Sequence, residues 1–253
     1  VSGASRFVIR LASAHAQVYV PAANGLWATD GTAEGTRRVV TLPGEPAGLT
    51  AAGDRLYFVL EEQMWISDGT PEGTQPAFDG SSYFGSPDQL SAVGDRLFFR
   101  AWNTGRRALW LTDGTEEGTV HLVDVCSDGC PDPYIWGNQR HAVGEPERFF
   151  FVADDGRHGS EPWVSDGTPQ GTRLLKDIAP GAASSIAQGL QADLIVGRRL
   201  FLATGAGWSS VGFGTLWTSD GTSAGTVPIV GPDAGKEPRL STDCSGDCDW
   251  SFQ

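Results

Sequence analysis

A ten-residue phrase, Trp-x-(Ser/Thr)-Asp-Gly-Thr-x-x-Gly-Thr, occurs five times in this chain, and no other feature constrains the fold as strongly. The copies begin at Trp27, Trp65, Trp110, Trp163 and Trp217. Their aspartates, Asp30, Asp68, Asp113, Asp166 and Asp220, are spaced by 38, 45, 53 and 54 residues. Self-similarity at such a period is the mark of a repeat architecture, in which one supersecondary unit recurs. A motif used five times is a poor candidate for a single active site, so the repeat speaks first about construction.

Each unit shows the same order of segments, most cleanly in the second. Leu49–Ala52 leads into a Gly53-Asp54 turn, Arg55–Leu60 follows, then Met64–Ser67, the Asp68–Thr74 loop and the closing segment Gln75–Phe78. Four short runs of β-formers separated by turn residues predict a four-stranded antiparallel meander. The second strand is apolar at consecutive positions, as in Leu97-Phe98-Phe99, Phe149-Phe150-Phe151-Val152 and Leu200-Phe201-Leu202. A strand with one wet face alternates, so this one is expected to be covered on both sides by neighbouring sheets. The expected fold is therefore all-β, a β-propeller of four-stranded antiparallel blades, five in number. A flat solenoid is the competing architecture, but its coils vary less in length. The blades are expected at about 1–42, 43–80, 81–128, 129–181 and 182–232, with a tail over 233–253. That tail either closes the ring or leaves blades to be supplied from elsewhere.

Within the motif the aspartate is expected to accept backbone N–H groups two residues on. The first glycine (Gly31, Gly69, Gly114, Gly167, Gly221) supplies a positive φ. The tryptophan is large enough to wedge between blades, burying roughly 150–250 Å². A calcium site in each loop is the functional alternative, but calcium takes six to eight oxygens and usually several carboxylates. With one invariant carboxylate per loop, neither a metal nor a cofactor is expected.

The longer pattern Gly-x-Glu-Leu-Trp-x-Ser-Asp-Gly-Thr-x-x-Gly-Thr-x-x-Val-x-Asp-Ile-x-Pro-Gly resembles the ELWxxDGTxxGT tandem repeat of exported bacterial proteins, abundant in myxobacteria and their relatives. The fourth unit is nearest, with Gly159-Ser160-Glu161-Pro162-Trp163 before the loop and Lys176-Asp177-Ile178-Ala179-Pro180-Gly181 after it. It departs at Pro162, where leucine is usual. The resemblance covers nearly the whole chain and implies a propeller-like, exported bacterial domain, secreted, periplasmic or on the cell surface. It implies no reaction. The loop is also similar to the Asp-box hairpin of sialidase-type propellers, where it is structural.

Composition narrows the partners. The net charge of −13, from 31 acidic and 18 basic residues, repels phosphate backbones and anionic lipid, which argues against nucleic acid and membrane partners. No apolar run approaches the ~20 residues that span a bilayer. Val1 opens without a basic or apolar leader, so any export signal is expected to have been removed already. Four cysteines form two similar pairs, Cys126/Cys130 and Cys244/Cys248. Two disulfides in an exported protein is the expected reading, in any of three connectivities. A four-thiolate metal site is the alternative, although it favours two-residue spacings.

Function is expected on the loops that differ between repeats. Loops joining strands one to two and three to four lie on one side of a meander and are nearly constant here. Loops joining strands two to three, and the links between repeats, lie on the other side and vary. Binding is usually built on such variable loops over a rigid scaffold. The variable side is expected to carry Trp102, Trp208, Tyr83-Phe84, Tyr134, Trp136 and the C-terminal Trp250 and Phe252. Trp102, Tyr134, Trp136 and Trp208 are the candidates for stacking on a sugar ring or anchoring a protein partner. Catalysis has weaker signals. His121 is expected in an outer strand and His158 sits at a repeat position, so neither looks like a unique base, and no serine lies in a Gly-x-Ser-x-Gly elbow. Asp154 and Asp155 are the one candidate acid pair of a glycosidase, though Asp-Asp-Gly also makes an ordinary hairpin tip. The expectation is a non-catalytic binding propeller for a glycan or a surface protein. The alternatives are a glycosidase-like propeller and a structural subunit of an extracellular assembly, and the oligomeric state is left open.

Overall fold

Among the described residues of the computed structural model every segment of regular structure is a strand, and the strands group repeat by repeat. The structure describes residues 11–78, 84–126, 148–186, 193–205, 214–229, 239–243 and 249–252. The first sheet runs in order through β1 (Ala12–Ala14), β2 (Gln17–Ala22), β3 (Gly25–Thr29) and β4 (Arg37–Thr41). The second uses β5 (Ala47–Ala52), β6 (Arg55–Leu60), β7 (Gln63–Ser67) and β8 (Gln75–Pro76), and the third β9 (Gly85–Val93), β10 (Arg96–Asn103), β11 (Arg106–Thr112) and β12 (Val120–Cys126). The fourth has three strands among the described residues, β13 (Phe149–Ala153), β14 (Glu161–Ser165) and β15 (Arg173–Leu174). The fifth contains β16 (Asp193–Val196), β17 (Arg199–Thr204), β18 (Gly214–Ser219) and β19 (Val227–Pro228).

The segment expected to be a bare tail behaves otherwise. Two further strands, β20 (Arg239–Asp243) and β21 (Asp249–Phe252), form a hairpin on the fifth sheet. β18 pairs with β19 at Trp217 and Thr218 and with β20 at Gly214 and Thr215, so two short strands share its outer edge. The reason is length. β19 is two residues long, which leaves half of that edge with unpaired backbone groups that another strand satisfies.

The motif loop is the same structure five times. In the second repeat, Asp68 Oδ1 accepts the Thr70 N–H (2.9 Å) and the Thr70 hydroxyl (2.7 Å). Thr70 Oγ1 in turn accepts the Gly73 N–H at 3.0 Å, and the Thr74 hydroxyl donates to the Thr70 carbonyl at 2.6 Å. Ser67 Oγ accepts the Gly69 N–H at 3.1 Å and lies 2.7 Å from Thr74 Oγ1. The loops at Asp30, Asp113, Asp166 and Asp220 repeat these bonds. The carboxylate also explains the second glycine, because a Cβ at Gly73 would collide with Asp68. Each conserved letter therefore has a bond or a collision behind it.

The chain divides into two compact units, Val1–Thr104 with Trp110–Val120, and Gly105–Leu109 with His121–Gln253. In the first unit, the core between sheets one and two contains Tyr19, Leu26, Leu49, Leu56, Phe58 and Leu60, with Trp65 packed against it. Phe58 and Trp65 are cross-strand partners and stack at 6.1 Å. In the second unit, Phe150, Val152, Val164, Leu200 and Leu202 form the core between sheets four and five, with Trp217 against it. The second strands of sheets two, three and four are buried at consecutive positions as expected, and Leu56, Tyr57 and Phe58 are all solvent-free.

Successive sheets also interlock through the motif loop. A Cβ at Gly69 would strike the Tyr19 hydroxyl of the preceding sheet, and one at Gly114 would strike Arg55, Ile66 and Tyr57. A Cβ at Gly221 would strike Arg148. Arg55 Nη1 donates to the Asp113 carbonyl at 2.7 Å, and Arg148 Nη1 to the Asp220 carbonyl at 3.1 Å. Arg55 at the start of β6 and Arg148 just before β13 thus reach forward onto the Asp-Gly peptide of the next repeat. The glycine is doubly required, since its φ is also positive, +86° at Gly69 and +90° at Gly114.

Two outcomes test this account. Phe58→Ala empties a site covered on both sides and is expected to cost about 3–5 kcal/mol in urea unfolding. The Thr70 hydroxyl, then its N–H, hold the Asp68 carboxyl below its ordinary 3.8, and the loops at Asp30, Asp113 and Asp220 do the same. Stability from these carboxylates is complete above that value and lost as pH falls through their lowered folded values. Unfolding midpoints should therefore drop below about pH 4, and Thr70→Val should make the drop shallower.

Candidate functional site

The third repeat departs from its neighbours on the variable side. β9 and β10 have nine and eight residues, against six each for β5 and β6. Their pairing runs out to Trp102 opposite Gly85, with register shifts on either side of Arg100. Ser86 and Gln89, flanking this irregular stretch, have φ of +42° and +48°, a conformation that non-glycine residues rarely adopt outside turns. The bulges aim Asp88 at Arg100. The guanidinium, almost fully buried, meets the carboxylate in a fork, Nε to Oδ1 at 2.7 Å and Nη2 to Oδ2 at 2.6 Å. A bidentate pair of this kind fixes direction as well as charge.

Trp102 lies two residues beyond Arg100 on the same side of the strand, and 39% of its surface is exposed. It was expected in a loop; the structure places Ala101, Trp102 and Asn103 within β10, because the braced ladder carries the strand onward. A two-residue turn, Thr104-Gly105, follows. Beside this edge stands the Glu61-Glu62 turn of the second repeat, with φ of +50° and +63°. Ser86 Oγ donates to Glu62 Oε2 at 3.2 Å, tying the two repeats together. Trp102 is thus an exposed indole on a braced strand, with a carboxylate turn next to it.

The other stacking candidates divide. Tyr134, Trp136 and Trp208 lie outside the described residues, as do Tyr83, Cys130, Cys244 and Cys248. Cys126 closes β12. Phe84 is a correction: it is buried against Phe99 at 4.9 Å and Trp110 at 5.3 Å, and so belongs to the core. Trp250 and Phe252 fall in β21. Trp65, Trp110, Trp163 and Trp217 of the repeat are used in packing. Trp163 Nε1 donates to the Ala153 carbonyl at 3.1 Å and Trp217 Nε1 to Thr204 Oγ1 at 3.2 Å.

Asp154 and Asp155 sit in a seven-residue loop between β13 and β14 and are engaged within it. Asp154 Oδ1 accepts the Gly156 N–H at 2.7 Å. Asp155 Oδ1 accepts the N–H groups of Arg157 (2.9 Å) and His158 (3.0 Å), while Oδ2 lies 2.8 Å from His158 Nδ1. Burial pushes the Asp155 carboxyl up, but the His158 bond and the two N–H groups outweigh it and hold it low. The same hydrogen bond raises His158 above its ordinary 6.5. Among the described residues no group of three or more His, Cys, Asp or Glu side chains is placed to hold a metal ion.

Sequence reasoning did not single out the role of Glu161. Its carboxylate is fully buried and accepts four bonds: Ile178 N–H at 3.0 Å, Ala179 N–H at 3.1 Å, Ser185 N–H at 3.1 Å and the Ser185 hydroxyl at 2.7 Å. The glutamate before the tryptophan thus holds the Asp-Ile-x-Pro-Gly segment that follows the loop. Both halves of that longer motif were visible, and their spacing was the signal that they touch. Burial pushes this carboxyl up, against the four hydrogen bonds.

Five antiparallel sheets in series, each a meander on one repeat, define a β-propeller fold. No protein-family model and no curated protein sequence matches the chain. Solved structures are similar at low identity. A puromycin-hydrolyzing peptidase from Mycobacterium tuberculosis aligns over 88% of this chain and 38% of its own, at 12% identity and a TM-score of 0.51. TolB from Acinetobacter baumannii aligns over 84% of this chain and 52% of its own, at 11% identity and a TM-score of 0.48. A structure of a nidogen/laminin complex aligns over 84% of this chain and 75% of its own, at 15% identity and a TM-score of 0.46. The chain therefore spans well under half of the peptidase and about half of TolB. The likeness is one of fold.

The Asp155–His158 pair yields a direct test. The stabilisation His158 gains from its partner is present below pH 6.5 and is lost as pH rises through its raised folded value. An NMR titration should find His158 above 6.5, and Asp155→Asn should return it toward that value.

Proposed function

We propose that this chain is an exported bacterial, non-catalytic interaction propeller that recognises a glycan or a surface protein through the variable side of its third repeat. The observation that carries the reading is Trp102. Trp65, Trp110, Trp163 and Trp217 of the repeat motif pack against neighbouring strands and sheets, and Trp102 is 39% exposed on a strand braced by the buried Arg100 and its carboxylate partner Asp88. Indole rings on rigid supports are what sugar stacking and protein hot spots use. The resemblance to ELWxxDGTxxGT repeat proteins supports export, and the −13 net charge disfavours polyanionic partners.

The candidate acid pair of a glycosidase is engaged within its own loop. Asp155 is committed to His158 and to two backbone N–H groups, and Asp154 caps Gly156. Glu161 is saturated by four donors.

The test is binding of the intact chain to a glycan array and to extracts of bacterial surface proteins, with Trp102→Ala and Trp208→Ala in parallel. Trp102→Ala is expected to weaken binding about tenfold or more, with circular dichroism unchanged. Binding to proteins but to no glycan would select the protein partner. A Trp102→Ala chain that binds like the wild type would overturn the assignment.

A further inference from the structure

A glycine that follows aspartate or asparagine makes a chemically weak peptide. Its amide nitrogen, unshielded by a side chain, can attack the carbonyl carbon of the preceding side chain and close a five-membered succinimide. An N–Cγ bond forms, and water leaves from aspartate or ammonia from asparagine. Water then reopens the ring on either side, giving aspartate or isoaspartate. The attack needs a nitrogen released from its hydrogen bond and a side chain free to swing over it. Aspartate must also be protonated.

The five motif loops withhold these conditions. Each first glycine donates its N–H to the hydroxyl two residues before it: Gly31 to Thr29, Gly69 to Ser67, Gly114 to Thr112, Gly167 to Ser165 and Gly221 to Ser219. Each aspartate Oδ1 is tied by the N–H and hydroxyl of the next threonine. The carboxylate also lies against the second glycine, where a Cβ would strike both of its oxygens. The same threonine bonds hold the Asp30, Asp68, Asp113 and Asp220 carboxyls low, so the reactive protonated form is scarce. Asp155-Gly156 is closed by other means. Gly156 N–H donates to Asp154 Oδ1, and the Asp155 carboxylate is engaged by Arg157 and His158. Asp79-Gly80 and Asp128-Gly129 lie outside the described residues.

Asn24-Gly25, the one Asn-Gly in the sequence, is built differently. It lies at the tip of the β2–β3 hairpin, where Asn24 is exposed and its side-chain amide makes no hydrogen bond among the described residues. The Ala22–Gly25 pair ends the ladder beside the turn, where backbone pairing opens most readily. We propose that Asn24-Gly25, rather than any motif Asp-Gly peptide, is where the folded chain rearranges, by loss of ammonia from Asn24. The product carries one more negative charge, and isoaspartate also adds a methylene to the main chain. The backbone has no slack for it. Gly25 is buried at a φ of +148°, a Cβ on it would strike the Val40 carbonyl, and the Asn24 carbonyl accepts the Leu42 N–H at 3.3 Å. Isoaspartate there forces β3 away from β4 in the first sheet.

Peptide mapping by mass spectrometry, after the intact folded chain has been held at neutral and mildly alkaline pH, tests the proposal. Isoaspartate is counted in the same samples by enzymatic methylation. Deamidation is expected at Asn24 and should quicken as pH rises, because the attacking nitrogen must lose its proton. Asn24→Gln, whose longer side chain would need a six-membered ring, should lose the signal with circular dichroism unchanged. Isoaspartate at Asp30, Asp68, Asp113, Asp166 and Asp220 is expected only when the chain is held in urea. Ser67→Ala frees the Gly69 nitrogen and should bring isoaspartate to Asp68 in the folded chain, the other four loops serving as internal references. An Asn24 that stays intact in the folded chain would overturn the proposal. So would motif aspartates that isomerise as fast in the folded chain as in urea.

Discussion

Stacking of successive sheets depends on the absence of one side chain. The first glycine of the motif loop leaves a gap above its backbone. Into that gap the preceding sheet inserts a tyrosine hydroxyl at Gly69, a tyrosine and an arginine at Gly114, and an arginine at Gly221. A methyl group at any of these positions would push the sheets apart and separate the apolar faces between them. The aspartate, threonines and second glycine then serve to hold that backbone still, through the same few bonds in every repeat. What looks like a binding motif is a seat, and its occupant comes from the protein itself.

With one side of each meander committed to seating its neighbour, variation is confined to the other side. The third repeat has used that freedom by lengthening two strands and bulging one. It also buries Arg100, paired with the half-exposed Asp88, two residues before the exposed Trp102. The fourth has used it differently. Its long loop is knotted by Asp155 and His158, and Glu161 gathers the chain after the motif into the core. Both elaborations rest on buried charge satisfied by several partners, which rigidifies a surface that backbone pairing alone would leave loose.

The fold was legible because its signals were local and repeated. The alternation failure at Leu97-Phe98-Phe99 announced a strand covered on both faces, and the Asp-Gly-Thr spelling announced the loop between strands three and four. The register was less legible. Trp102 reads as a loop residue because Asn103, Thr104 and Gly105 follow it, and the Asp88–Arg100 fork that keeps it in a strand joins residues twelve apart in sequence. Phe84 sits beside turn residues and looked like a surface aromatic, but its ring fills the space over Phe99 and Trp110. The strand at Arg239–Asp243 could not be read from its own residues, because the reason for it is the short edge left by β19. Each miss concerns a long-range contact with no periodic signature.

The six bonds that close each motif loop join residues no more than seven apart. Such contacts can form before distant segments meet, since closing a short loop costs little chain entropy. Every repeat thus carries its own starting point for folding, and growth can spread from any of them to its neighbours. Because these starting points are equivalent, losing one loop should slow the docking of its two neighbours and leave the remaining array a route to the native state.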